Sequence, residues 1–365
     1  MKMTNLLRVP LMFAAIVVSI ATISLPASSA ELFVSPNGDD ANDGSTSESA
    51  FSTIQHALEK AVPGDTINLA SGTYEQDIKT IRSGTQQNPI TIAGSRDAVV
   101  KGAGSARIIE INHNYITLKN FTVDGLWDDA NSANGYRDKL IYVQGKDKSL
   151  GLQGLKILNM HLQNAGGECV RLRYFVEGSE IAFNSIKNCG IYDFKFGDME
   201  EKNGEAVYVG TAPEQTGDGK NPTSDPDRSS NNWIHDNDID TQGNECVDLK
   251  EGATDNIVEN NYCTGQKDPD SAGLNTRGNN NIFRYNRVEK NKGAGIRLGG
   301  DTSSDGTGNV VYSNFIENNV AGGIKFQAKE QGLICENSMN GNQAGDSIGS
   351  YGELFLPTTE CLLKN

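Results

Sequence analysis

The chain has 365 residues with 40 glycines, few aromatics (7%) and a formal net charge of −15. That acidity excludes a nucleic-acid partner as the default reading. The glycine content, with frequent asparagine, is poor for helices and suits many short strands joined by tight turns.

The first 30 residues read as an export signal. Lys2 and Arg8 give a positive start, "LMFAAIVVSIATISL" an apolar centre, and "SSA" small residues for cleavage after Ala30. No other apolar run approaches the roughly 20 residues of a membrane span. The expectation is a secreted or periplasmic, monomeric protein whose residues 31–365 form one domain. Next, "FSTIQHALEKAV", Phe51 to Val62, is the one clear amphipathic helix, capped by Ser52 or Thr53, with Ile54, Ala57, Leu58 and Ala61 as its apolar stripe.

Beyond it a repeat runs through the chain. "SEIAFNSIK", "NWIHDNDID", "NIVENNYCT", "NIFRYNRVE" and "NVVYSNFIE" superimpose, placing asparagines at Asn184, Asn237, Asn261, Asn286 and Asn314. The first of these intervals, 53 residues, holds either an extra turn or a long insertion; the rest are 24, 25 and 28. A second series is interleaved: "GECVRLR", "GEAVYVG", "NECVDLK", "SAGLNTR", "GAGIRLG" and "GGIKFQ", each alternating with period two. Two or three short strands per repeat of about 25 residues predict an all-β, single-stranded right-handed parallel β-helix. Its coils would stack at about 4.8 Å, with the asparagines as an internal ladder and the helix capping the N-terminal end. "CGIYDFKF" is expected to add a coil with Tyr192 and Phe194 outside. Of the six cysteines, Cys335 with Cys361 would staple the C-terminal end, and the other four pair or pack as apolar residues.

Strand parity assigns the faces of the second series. Val170, Val207, Val247, Leu274, Ile296 and Ile324 point inward. Arg171, Arg173, Tyr208, Asp248, Lys250, Asn275, Arg277, Arg297, Lys325 and Gln327 point outward. Outward residues are ordinarily polar, so a bland reading exists. Yet Asp and Glu outnumber Lys and Arg 47 to 32, while this face is mostly positive. Stacked cations repel, and a long polyanion lying along them would relieve that repulsion. Glu168, Glu205 and Glu245 form a second column. A calcium ion would make it favourable; alternatively, these glutamates accept N–H bonds from turns.

"ALEKAVPGDTINLASGTYEQ", "ECVDLKEGATDN", "AGLNTRGNNNIFRYN" and "AGIRLGGD" resemble segments of the chondroitinase B and alginate lyase family, polysaccharide lyase family six. The resemblance covers most of the mature chain. It implies Lys250 as catalytic base, Arg277 as its partner and Glu245 as a calcium ligand, with Glu205 substituting for an asparagine ligand. The chain departs from the pattern at Gly243, where the family often has a second glutamate. The residues suit that chemistry independently. Elimination from a uronate removes the C5 proton, and the charge that develops on the adjacent carboxylate must be neutralised by a divalent cation or an arginine. Tyr208 or Tyr192 would donate the proton to the leaving oxygen or stack on a sugar. Arg297, Arg173, Asn275 and Lys325, with Tyr208, are the expected substrate contacts. Three roles stay open for Asp248: holding Lys250, binding calcium, or keeping the lysine charged. The insertion after Tyr208, "TAPEQTGDGKNPTSDPDRSSNN", reads as a flap over the cleft. Two other readings compete: a polysaccharide-binding β-helix without activity, and a glycoside hydrolase on the same fold, which needs two carboxyls flanking the bond.

Overall fold

The computed structural model describes residues 29–197 and 203–361. The export signal, residues 1–30, lies outside them apart from its last two positions. Strands of two to six residues wind into three long parallel sheets, one of eleven strands and two of ten. In each sheet a strand pairs in parallel with its counterpart from the next coil, as a right-handed parallel β-helix requires. The register expected from parity holds throughout: Val170 pairs with Val207, Val207 with Val247, Val247 with Leu274, Leu274 with Ile296 and Ile296 with Ile324. All six side chains are buried in the bore.

Helix α1 spans Ile54–Lys60, shorter than the apolar stretch that announces it. Thr53 caps it, its hydroxyl accepting the His56 amide at 3.1 Å. The chain turns extended at Ala61, shortly before Pro63. Ile54, Ala57 and Leu58 bury against the first strands and close the bore.

The asparagine ladder is present, and two more accompany it. Asn184 donates to Asn237, Asn237 to Asn261, Asn261 to Asn286 and Asn286 to Asn314, at 2.9–3.1 Å. Parallel ladders run through Asn232, Asn256 and Asn281, and through Asn291, Asn319 and Asn342. The residue before each asparagine of the first ladder (Phe183, Asp236, Asn260, Tyr285, Ser313) has φ between 52° and 59°. That left-handed residue makes the corner between two strands, at a cost of roughly 1–2 kcal/mol where it is not glycine. The buried side-chain amide bonds offset it, at about 0.5–1.5 kcal/mol each.

The 53-residue interval is one coil with two insertions, since Asn184 bonds directly to Asn237. "CGIYDFKF" corrects the expectation of a further strand: Ile191–Phe196 is a short helix, α2. Gly190 and Gly197, at φ 75° and 88°, turn the chain into and out of it. The second insertion, residues 210–231, follows the Val207–Val209 strand. All six cysteines pair: Cys335 with Cys361 as expected, and Cys169 with Cys189 and Cys246 with Cys263. The last two bridges each join neighbouring faces of one coil, so the cleft sheet is stapled beside its most charged strands.

Candidate active site

The ten-stranded sheet that contains Val247–Leu249 carries the charged residues on its outer face. The register sorts them into columns. Tyr142, Arg171, Tyr208, Asp248, Asn275, Arg297 and Lys325 pair in succession along one of them. Two residues ahead of the inward valines stand Glu168, Glu205 and Glu245. Just past the paired Leu249 and Thr276 stand Lys250 and Arg277. Lys250 and Arg277 are therefore true neighbours, whereas Arg297 lies in the adjacent column, beyond Asn275. Gly210 precedes Lys250 in its column at φ 92°, and a Cβ there would come within 3.3 Å of the Lys250 Cβ. A left-handed glycine at this position leaves the lysine stem its space.

Glu205, Tyr208, Glu245, Lys250, Arg277 and Arg297 line one cavity of about 350 Å³. Glu205, Glu245 and Asp248 are buried and bring one oxygen each within 4.8 Å of one another. Glu168, expected in this column, does not join them: Lys139 at 2.7 Å and Arg171 at 3.2 Å hold it. Burial raises the Glu168 carboxyl, but those two cations outweigh it and keep it down to about 2. No such pair relieves the others. Burial, then Glu245 and Glu168, push Glu205 up to about 8. Burial, then Asp248, push Glu245 up to about 7. Glu245 accepts the Ser271 hydroxyl on one oxygen, while its other oxygen is buried without a hydrogen-bond partner among the described residues.

This donor set suits a hard divalent cation. It is all oxygen, convergent and anionic, and it retains an orphaned carboxylate oxygen. Gly243 could not add a ligand, because a Cβ there would sit 2.1 Å from the Cys189 carbonyl oxygen. Asp248 supplies the third carboxylate instead.

The cations differ in how far they are committed. The Lys250 ammonium lies 2.7 Å from Asp248 and 4.6 Å from the centre of the Tyr208 ring. Burial lowers its pKa, but Asp248, Tyr208 and the two glutamates outweigh that and raise it well above the usual lysine value. Asp248 thus both holds Lys250 and keeps it charged. Glu251 turns away from Lys250 to Arg277, which it meets at 3.1 Å with Asp301 at 3.0 Å. Arg297 is different in that no carboxylate of the described residues reaches ion-pair distance; its Nε, like that of Arg277, is buried without a hydrogen-bond partner among the described residues. Burial and then the neighbouring Arg277 lower its pKa. An unpaired, largely desolvated guanidinium is an anion receptor. Lys325 sits on the rim and donates to the Asp270 carbonyl at 2.8 Å.

Two expected substrate contacts stand elsewhere. Arg173 is only 4% exposed, and its guanidinium donates to Asn221, Asp218 and the Gln215 carbonyl, all in the insertion. Asn275, 1% exposed, donates to Asp248 at 2.8 Å and fixes that carboxylate from below. Tyr208 lines the cavity with Lys250, whereas Tyr192 lies on α2 and bonds the Tyr136 carbonyl in a neighbouring cavity of about 830 Å³. Arg107, Lys139 and Tyr142 on that second floor were missed. Their strands lack the small-residue-plus-glutamate head that marks the later repeats. The alternation in "KLIYVQ" was the available signal.

A family model described as "Protein of unknown function (DUF1565)" matches residues 36–287. Uncharacterized protein YwoF of Bacillus subtilis (strain 168) is 32% identical over 131 residues, 33% of this chain and 27% of that one. The chain therefore spans about a quarter of the length of the curated relative it matches. Among solved structures, the alginate lyase from Paenibacillus sp. str. FPU-7 is similar with a TM-score of 0.62 and 20% identity, covering 80% of this chain and 96% of that one. Pectate lyase Pel9A is similar with a TM-score of 0.60 and 14% identity, covering 89% and 81%. A glycoside hydrolase is similar with a TM-score of 0.50 and 10% identity, covering 88% and 97%. At these identities the likeness is one of fold, shared by lyases and hydrolases alike.

Proposed function

The chain belongs to the DUF1565 family, and for this member we propose a secreted polysaccharide lyase of the family-six type that cleaves a uronate-containing polymer by β-elimination. The observation that carries the reading is the grouping in one cavity of Lys250, Arg277 and Arg297 with Glu205 and Glu245, two members of a three-carboxylate cluster completed by the buried Asp248. The resemblance of "ECVDLKEG" and "LNTRG" to lyase segments supports it, as does a fold shared with an alginate lyase and a pectate lyase. Three disulfides suit an oxidising compartment, in keeping with the export signal read at residues 1–30.

Glu205, Glu245 and Asp248 would hold calcium. Bound there, calcium would neutralise the uronate carboxylate and offset the charge of its own ligands. Lys250 would then act as the base that takes the C5 proton, once calcium offsets the carboxylates that otherwise keep it charged. Arg277 contributes positive charge to the same carboxylate as its negative charge grows. Tyr208, whose ring lies 3.4 Å below the Arg171 guanidinium, would protonate the leaving oxygen. Arg297 binds the carboxylate of an adjoining sugar.

One observation favours a second reading. Glu205 pushed up to about 8 would be protonated at neutral pH beside Glu245, which is how a hydrolase arranges its acid. One experiment separates the two. The mature protein is incubated with alginate, pectate and chondroitin or dermatan sulfate, with calcium or with chelator. Calcium-dependent absorbance near 230 nm, from the unsaturated product, is expected. New reducing ends without that absorbance establish the hydrolase. Neither signal on any uronate leaves a binding protein.

A further inference from the structure

The insertion after the Val207–Val209 strand does more than overhang the cleft; it touches the floor. Gln215 Oε1 accepts from Arg171 Nη2 at 3.0 Å and from the Tyr208 hydroxyl at 3.5 Å. The Gln215 carbonyl accepts from Arg173, which also binds Asp218 at 2.8 Å and Asn221 at 2.5 Å. The foot of the insertion is fastened as well. Asp227 accepts the Tyr174 and Phe175 amides at 2.6 and 2.8 Å and the Thr211 hydroxyl at 2.7 Å. The consequence shows in the burial of the floor. Arg171, Tyr208 and Arg173 stand on the outer face of the sheet, yet they are 2%, 2% and 4% exposed. Gln215 and Asn203 line both the cavity of about 350 Å³ and that of about 830 Å³, and Gln215 is the one of the two that the insertion brings to the partition between them.

Building on the lyase reading, we infer that the reacting cavity is a dead end at Gln215 and that the enzyme is exolytic. A polymer cleaved internally has to continue past the reacting bond on both sides. Here one direction along the sheet is occupied by Gln215 bonded to Arg171 and Tyr208. The other direction leads over Arg297 and Lys325, cations that suit an extended polyanion. The chain end therefore rests against Gln215 with the rest of the polymer running over the C-terminal coils. A cavity of about 350 Å³ is at the small end for a ligand site, which fits release of short fragments.

The test follows viscosity and product length together on the polymer that yields absorbance near 230 nm. For the wild type, absorbance is expected to rise while viscosity hardly falls, with one short product size from the first minutes. An early ladder of lengths with a rapid fall in viscosity overturns the inference while leaving the lyase reading intact. Gln215→Ala, which keeps the backbone contact to Arg173, should open the partition and give mixed early lengths. An unchanged single product size shows that Gln215 is not the barrier. A binding measurement is independent of turnover. With Lys250→Ala protein, an oligouronate carrying a bulky label on both ends should bind about ten-fold more weakly than the free one. Equal binding overturns the dead end. Absence of the 230 nm product on every polymer refutes the lyase reading instead, and the blocked-end measurement still decides whether the cavity is closed.

Discussion

Replacing Glu205 by glutamine should stabilise the protein without calcium and remove much of its response to calcium. The reasoning starts from three buried carboxylates with one lysine between them. In the folded chain the Glu205 carboxyl is pushed up from 4.5 to about 8, by burial and then by Glu245 and Glu168. The unfolded chain releases this proton above about pH 4.5. The folded chain keeps it until about pH 8. Stability therefore falls as pH rises through that window, because the unfolded state gains an ionisation denied to the folded one. At pH 7 the difference amounts to about 3 kcal/mol, an upper figure since Glu245 shares the same charge. Glutamine has no proton to lose. In chelator at pH 7, Glu205→Gln should melt roughly 3–5 °C above the wild type, and the gap should close toward pH 5. Calcium closes the gap. At a hundred times its dissociation constant it adds about 2.7 kcal/mol to a protein that binds it only when folded. That gain should reach the wild type and largely miss the variant. Calorimetry from pH 5 to 9, in calcium and in chelator, reads all four curves. A variant that melts below the wild type in chelator, or that gains as much from calcium, refutes the argument.

Three further outcomes are expected. Lys250→Ala should lower elimination at least about 100-fold while circular dichroism is unchanged, and retained turnover removes Lys250 as base. Arg297→Ala removes an anion contact worth about 1.5–3 kcal/mol, so kcat/KM on the polymer should fall roughly 10- to 100-fold; kinetics with an unchanged value would place the substrate elsewhere. Asn237→Ala removes the acceptor of the Asn184 backbone N–H and of one Asn184 Nδ2 hydrogen, and the donor to the Ile181 carbonyl, at a buried corner, costing about 1–3 kcal/mol in urea unfolding, whereas an effect within about 0.5 kcal/mol would mean that the ladder contributes little.

Much of the site was legible because a β-helix repeats a local rule. Aligning "CVDLK" with "GLNTR" by period two sets Lys250 beside Arg277, and the observed pairing of Leu249 with Thr276 is the same alignment. The glutamate column was legible for the same reason, although its membership was not. Glu168 and Glu205 are equivalent in register. They separate because Lys139 reaches the first, while no lysine of the described residues makes an ion pair with the second.

What the sequence by itself determined is therefore the repeat, the handed stack it implies, and which residues face the cleft. These follow from side-chain alternation and turn residues within about 25 positions. What only the tertiary structure decided is which of those residues are free to act. Arg171 and Arg173 are committed because the insertion, some forty to fifty positions later in the chain, folds back to bond them. Arg297 is open because no carboxylate of the described residues comes within reach. Asp248 becomes part of the carboxylate cluster because Glu205 arrives from the preceding coil. Alternation specifies the face a side chain occupies. Its partners, and hence its charge state and its availability to a substrate, are set by segments that alternation does not describe.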